Sequence, residues 1–176
     1  MASYSQPGWK RLRNAARHVD YECCMLFETA RRLDAWRRAQ QLPSTPQEAV
    51  ERKSMLESWL VHVRSLMQFF QAQRKYPDDV LARDYLPDPK GWKERGFKPN
   101  SAERRRLDNI SKFVAHVSYA RNRRQAEWRE TDQVMVVRRL AAWVELLPPK
   151  RRLWFPCLAG KLRAPPFGPA SPCDPA

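Results

Sequence analysis

The sequence predicts an all-α protein: an antiparallel bundle of four long helices plus one short helix, followed by a basic, Pro-rich C-terminal tail. Three observations carry that prediction. Apolar residues recur at three- and four-residue steps over long stretches. The chain has only 5 Gly, too few for Gly-rich phosphate loops, dinucleotide folds or turn-dense β-sandwiches. Eight of its 15 Pro lie after residue 147, so the preceding chain holds fewer helix breakers than the total implies. A length of 176 residues with 43% hydrophobic content suits one domain with a sizeable core. The expected division is a bundle domain over 1–147 and a largely irregular tail over 148–176, with Trp154 and Phe155 as candidate anchors and disorder beyond Leu162.

The first helix is expected from about Pro7 to Gln41. Leu12, Ala16, Val19, Cys23, Leu26, Ala30 and Leu33 form one apolar face, bracketed by Trp9 and Trp36. That face suits either an intramolecular core or a homodimer contact. Thr45-Pro46-Gln47-Glu48 then signals a helix start: Thr45 accepts from the third helical N–H, Pro46 needs no donor, and Glu48 reaches back. The second helix should reach about Lys75 and bury Leu56, Trp59, Val63, Leu66, Met67 and Phe70. A short helix is expected to start at Pro77-Asp78-Asp79-Val80, with carboxylates in its first turn. Residues 86–99 read as an irregular loop anchored by Trp92 and Phe97.

The third helix begins near Asn100 or Ser101, with Glu103 as its capping-box partner and Leu107, Ile110, Phe113, Val114 and Val117 inward. It is expected to continue to Trp128. Thr131 or Asp132 caps the fourth, with Val134, Val137, Leu140, Ala141, Val144 and Leu147 inward, and Pro148-Pro149 ends it.

Charge is the strongest compositional signal. Lys plus Arg is 33 against 19 acids, a formal net charge of +14, and Arg dominates. Such a surface attracts nucleic acid and other polyanions. The segments Arg104-Arg105-Arg106 and Arg123-Arg124 are candidate phosphate grips, or solvated helix faces. Trp, Phe and Tyr fall mostly at core spacing and do not mark a stacking platform. No apolar run approaches membrane-spanning length, and residues 1–10 lack a signal-peptide core, so a soluble, cytoplasmic protein is expected. Cys23, Cys24, Cys157 and Cys173 have no metal spacing and read as reduced thiols. No metal or cofactor motif is present.

The three histidines, His18, His62 and His116, limit general-base chemistry. His62 and His116 fall about 80° and 110° from the centres of their helices' apolar stripes, while Arg121 falls within about 30°. A guanidinium on a packed face requires an anion, and Asp78, Asp79 and Asp84 are the nearest candidates. His62, His116 and Arg121, with Asp79, Asp84, Arg64 and Lys112 around them, therefore form a candidate polar cluster. It is either an internal Arg–Asp clamp or an anion site. Metal binding by the histidines lacks a supporting spacing, and a Gly-bounded nucleophile turn is missing.

The strings 62–70 (His-Val-Arg-x-Leu-x-x-Phe-Phe), 78–85 (Asp-Asp-Val-x-Ala-x-Asp-Tyr) and 112–121 (Lys-x-x-Ala-His-Val-x-x-x-Arg) resemble a family of uncharacterised bacterial helical proteins. More distantly, helix three is similar to the HEPN superfamily of helical ribonucleases and nucleotide-binding modules. That resemblance implies a HEPN-like bundle, often dimeric, with an Arg and a His four to six residues on as catalytic signature. Here no Arg precedes His62 or His116 at that spacing; Arg13-Asn14-Ala15-Ala16-Arg17-His18 fits it, in the first helix. Two functions are expected: a non-catalytic interaction or regulatory module, homodimer contacts included, or an RNA-binding protein or ribonuclease of a defence or toxin–antitoxin system.

Overall fold

A computed structural model describes residues 7–39, 42–71, 74, 76–89, 100–115 and 130–163. Among the described residues there are six α-helices, one 3-10 helix and no strand. Helix α1 spans Trp9–Ala39 and α2 spans Pro46–Phe69. A 3-10 helix follows at Ala82–Tyr85, then α3 at Ser101–Ala115 and α4 at Glu130–Leu146. Two short helices close the described chain, α5 at Pro149–Arg152 and α6 at Pro156–Arg163.

Helix α1 forms as its periodicity requires. Leu12, Ala16, Val19, Cys23, Leu26 and Ala30 are all buried, and Leu33 packs against them. The partner is α2, so the face that could have paired two chains is consumed within one. The pairings Glu22 with His62 and Trp36 with Arg52 run in opposite directions along the two helices, which makes them antiparallel.

At the start of α2, the Glu48 N–H donates to Thr45 Oγ1 at 3.1 Å, as the capping signal predicts. The Glu48 carboxylate reaches one residue further than expected and accepts from the Ser44 N–H and hydroxyl, each at 2.8 Å. Those two bonds, helped by Arg52, pull its pKa down to about 2. Helix α2 ends at Phe69, short of the expected Lys75.

Helix α3 opens on a complete capping box: the Glu103 N–H donates to Asn100 Oδ1 at 2.9 Å, and the Asn100 N–H to Glu103 Oε2 at 2.7 Å. Ile110 is buried, and Leu107, Phe113 and Val114 are partly buried against the same core. The expected continuation to Trp128, with Val117, and the loop anchors Trp92 and Phe97 lie outside the described residues.

Helix α4 departs from expectation. It already runs at Glu130, so neither Thr131 nor Asp132 caps it. Its buried residues are Asp132, Gln133, Val136, Arg139, Leu140 and Trp143, with Leu147 buried just past its end. That face is centred about 90° around the axis from the expected stripe of Val134, Val137, Leu140, Ala141, Val144 and Leu147, so Leu140 and Leu147 are buried as expected and the other four only partly. The cause is charge: Asp132 and Arg139 turn inward because each finds a partner on α3. The bonds Glu103–Arg139 and Arg106–Asp132 also set α3 and α4 antiparallel.

An aromatic knot joins the distant parts of the chain. Trp143 meets Phe69, Tyr85 and Phe155 edge-to-face, with centroids 5.0, 5.8 and 4.9 Å away. Its indole N–H donates to the Ala82 carbonyl at 2.9 Å, and the Tyr85 hydroxyl donates to the Leu12 carbonyl at 3.1 Å. Burial pushes the Tyr85 phenol well above its ordinary range.

The start of the expected tail is structured. Phe155 and Leu158 are buried in the core, and α6 packs on α1. Asp20 of α1 accepts from the Leu158 N–H at 2.9 Å and the Cys157 N–H at 3.2 Å, capping α6 from a neighbouring helix. One turn along α1, Cys24 is disulfide-bonded to Cys157, with Cα atoms 5.9 Å apart. The expectation of four reduced thiols is therefore corrected. Two of the three basic residues of α5 are also structural: Arg151 donates to the Tyr85 carbonyl, and Arg152 to those of Leu147 and Glu145 at the end of α4. Residues 164–176 lie outside the described residues.

Candidate polyanion-binding face and the internal polar pairs

The described members of the candidate cluster fall at two places. His62 is buried on the α1 side of α2, where Nδ1 lies 2.8 Å from Glu22 Oε2 and Nε2 lies 3.3 Å from Ser58 Oγ. A carboxylate accepts only, so Nδ1 carries the proton and a neutral ring accepts from the Ser58 hydroxyl. Tyr21 packs on this ring edge-to-face at 6.2 Å. Serine, histidine and glutamate thus stand in the order of a nucleophile, a base and its orienting carboxylate. Ser58 sits mid-helix, however, where backbone N–H groups are engaged in helical bonds and offer no oxyanion donors. The arrangement is a polar rivet between α1 and α2.

Asp84 is fully buried at the other end of α2. It accepts from Arg74 Nη2 and from the Leu81 N–H, both at 2.9 Å. Arg74 also donates to the Asp79 carbonyl at 2.9 Å, and the Asp79 carboxylate accepts from the Tyr76 N–H at 2.8 Å. Among the described residues, the Arg–Asp pair that fixes this short segment is Arg74 with Asp84. The segment itself forms a turn at Tyr76–Asp79 and a 3-10 helix from Ala82, in place of the helix expected from Pro77. His62 belongs to a different site, about 10 Å along α2 from the end at Phe69. His116, Arg121, Arg123 and Arg124 lie outside the described residues. Arg64 is half-buried, with a buried Nε that has no hydrogen-bond partner, and Lys112 is exposed.

On α3, Arg104 and Arg105 are exposed. Arg106 is not a surface grip: its Nε and Nη2 both donate to Asp132, at 2.8 and 2.6 Å. Burial opposes ionisation of Glu103, but the Arg139 and Asn100 bonds outweigh it and hold the carboxyl below its ordinary value. At Cys23, burial, with Asp20 and Glu22 adding to it, pushes the thiol well above the usual range, which makes it a poor nucleophile.

These pairs show where the positive charge is left. Asp20 caps α6, Glu22 holds His62, Asp34 pairs with Arg37 and Arg38, and Asp84, Glu103 and Asp132 are spent inside. The first half of α1 has no acid between Trp9 and Val19, and its Lys10, Arg11, Arg13, Asn14, Arg17 and His18 are all exposed. By helix geometry Lys10, Arg13, Asn14 and Arg17 share the side opposite the buried stripe. Cations at this helix end also oppose the helix dipole, so an anion there would relieve them. Composition does not single out this stripe, because it does not reveal which arginines the fold consumes.

The fold and this face define a basic all-helical bundle, and no described helix is long and apolar enough to cross a membrane. Comparison with protein-family models, curated proteins and solved structures finds no match to the chain.

Proposed function

We propose that the protein is a non-catalytic helical interaction module that binds RNA through the outward face of α1. The supporting observation is the distribution of charge: internal carboxylates are taken by Arg74, Arg106, Arg139 and His62, while Arg13 and Arg17 face water on one side of α1. The phosphate backbone of RNA supplies the complementary charge, and arginine forks match phosphate oxygens. The exposed Arg104 and Arg105 extend the same basic character on α3.

The HEPN-like ribonuclease reading is second. The spacing of Arg13 and His18 favours it, and both are exposed. Five residues along a helix, however, set them about 140° apart around the axis, which does not converge them on one phosphate within a single chain. The cytoplasmic location expected from the sequence remains part of the proposal. Its counterweight is the Cys24–Cys157 bond, because disulfides persist in oxidising compartments.

The test is fluorescence anisotropy with a labelled RNA oligonucleotide over a range of salt. Replacing Arg13 and Arg17 together by Gln is expected to weaken binding and to reduce the slope of log K against log salt by about 1.4, or 0.7 for each phosphate left without its arginine. The RNA should be recovered intact. An unchanged slope would remove α1 from the interface, and cleaved RNA would favour the ribonuclease reading.

A further inference from the structure

Resting on the reading of α1 as a phosphate-binding face, we propose that Tyr21 makes this face selective for single-stranded RNA. Its ring stacks an unpaired base while Lys10, Arg13 and Arg17 hold the adjoining phosphates. Positions 10, 13, 14, 17 and 21 fall within an arc of about 100° on the side of α1 away from its buried stripe. Tyr21 is 57% exposed, on a helix whose buried positions hold Leu12, Val19, Leu26 and Phe27. Its ring is therefore not needed by the core.

The ring is nonetheless held. It meets the His62 imidazole edge-to-face, with an interplanar angle of 80°. His62 is itself buried and bonded at both nitrogens by Glu22 and Ser58. Tyr21 therefore stands against a fixed wall while more than half of it stays in water, and a preorganised aromatic loses little freedom on binding. The acids that flank it are engaged within the fold, Asp20 by the α6 backbone and Glu22 by His62.

Lys10 and Tyr21 stand about 16 Å apart along the helix, and the stripe between them is cationic. Asn14, exposed within it, offers both a donor and an acceptor to a base edge. A positive track that ends in an exposed aromatic is the chemistry that recognises single strands, whose bases are free to stack on a side chain. In a duplex the bases are already stacked, and a helix such as α1 meets only backbone.

The experiment compares three labelled probes by anisotropy: a single-stranded RNA oligonucleotide, the same strand with abasic sites, and a duplex of equal length. The wild-type protein is expected to prefer the intact single strand. Tyr21→Ala should weaken that probe by roughly 5- to 100-fold and leave the abasic and duplex probes unchanged. Tyr21→Phe keeps the ring and should stay within about twofold of wild type. Equal affinity of the wild type for all three probes would overturn the stacking role, and so would an equal loss on every probe or no loss with Tyr21→Ala. Each of those results leaves charge-driven binding at α1 intact. Failure of the wild type to bind any probe would instead overturn the α1 reading itself. Tyr21 is a surface residue, so circular dichroism of both variants should match wild type.

Discussion

Trp143→Ala is expected to destabilise the protein by about 3–5 kcal/mol, the cost of deleting a large, fully buried aromatic side chain. Trp143 is where four parts of the chain meet. It touches Phe69 of α2, Tyr85 of the 3-10 helix and Phe155 ahead of α6, and its N–H satisfies the Ala82 carbonyl. Its removal opens a cavity between these rings and leaves the Ala82 oxygen without this donor in a dry environment. Trp143→Phe should keep most of the packing and cost about 1–3 kcal/mol, from the smaller ring and the missing hydrogen bond. Chemical denaturation of both variants measures the two losses. A Trp143→Ala protein within about 1 kcal/mol of wild type would mean that the aromatic knot does not hold the bundle together.

Breaking the Cys24–Cys157 disulfide, by reduction or by replacing both cysteines with Ser, is expected to cost about 2–5 kcal/mol. The bond joins residues separated by 133 positions, so it removes much of the freedom of the unfolded chain. The native state keeps its other holds on α6: Asp20 still caps the helix, and Leu158 and Phe155 are still buried. Reduction should therefore lower the guanidinium midpoint without changing the helical signal of the native protein. Adding Asp20→Ala to the reduced protein removes the cap as well and should cost about 1 kcal/mol or more beyond that. An identical midpoint with and without reductant would show that the bond contributes nothing to stability.

Much of this architecture is legible in the residues, because much of it is local. The face of α1 follows from apolar residues at three- and four-residue steps. The starts of α2 and α3 follow from Thr45-Pro46-Gln47-Glu48 and from Asn100 with Glu103, since a cap is a contact between residues three apart. What the sequence hides is contact between remote segments. The face of α4 is misread because polar residues are assigned outward by default, whereas Arg139 and Asp132 are inward-facing members of pairs completed by α3. The docking of α6 depends on Asp20 and Cys24, more than 130 residues earlier, and no local pattern in a basic, Pro-rich segment announces it.

Of the candidate site, only the members among the described residues can be compared with the sequence. A buried Arg–Asp clamp after helix two follows from chemistry; among the described residues it is made by Arg74, a residue the sequence reading did not single out. His62 stands out for its boundary position, but its partner Glu22 lies 40 residues away on another helix. The α1 stripe escapes notice when charge is read by runs such as Arg104-Arg105-Arg106. A run places its side chains around the helix; a face needs residues three and four apart. Within that run, Arg106 turns to Asp132, while on α1 the spacing of Lys10, Arg13 and Arg17 keeps them on one side.

The claim that α1 is the RNA-binding face is tested most directly by ultraviolet cross-linking of a single-stranded RNA to the intact protein, with the modified peptides located by mass spectrometry. Adducts are expected within residues 9–22, with Tyr21 as the principal modified side chain and their yield falling as salt rises. Adducts confined to the α3 peptide around Arg104 and Arg105, with residues 9–22 unmodified, would contradict it.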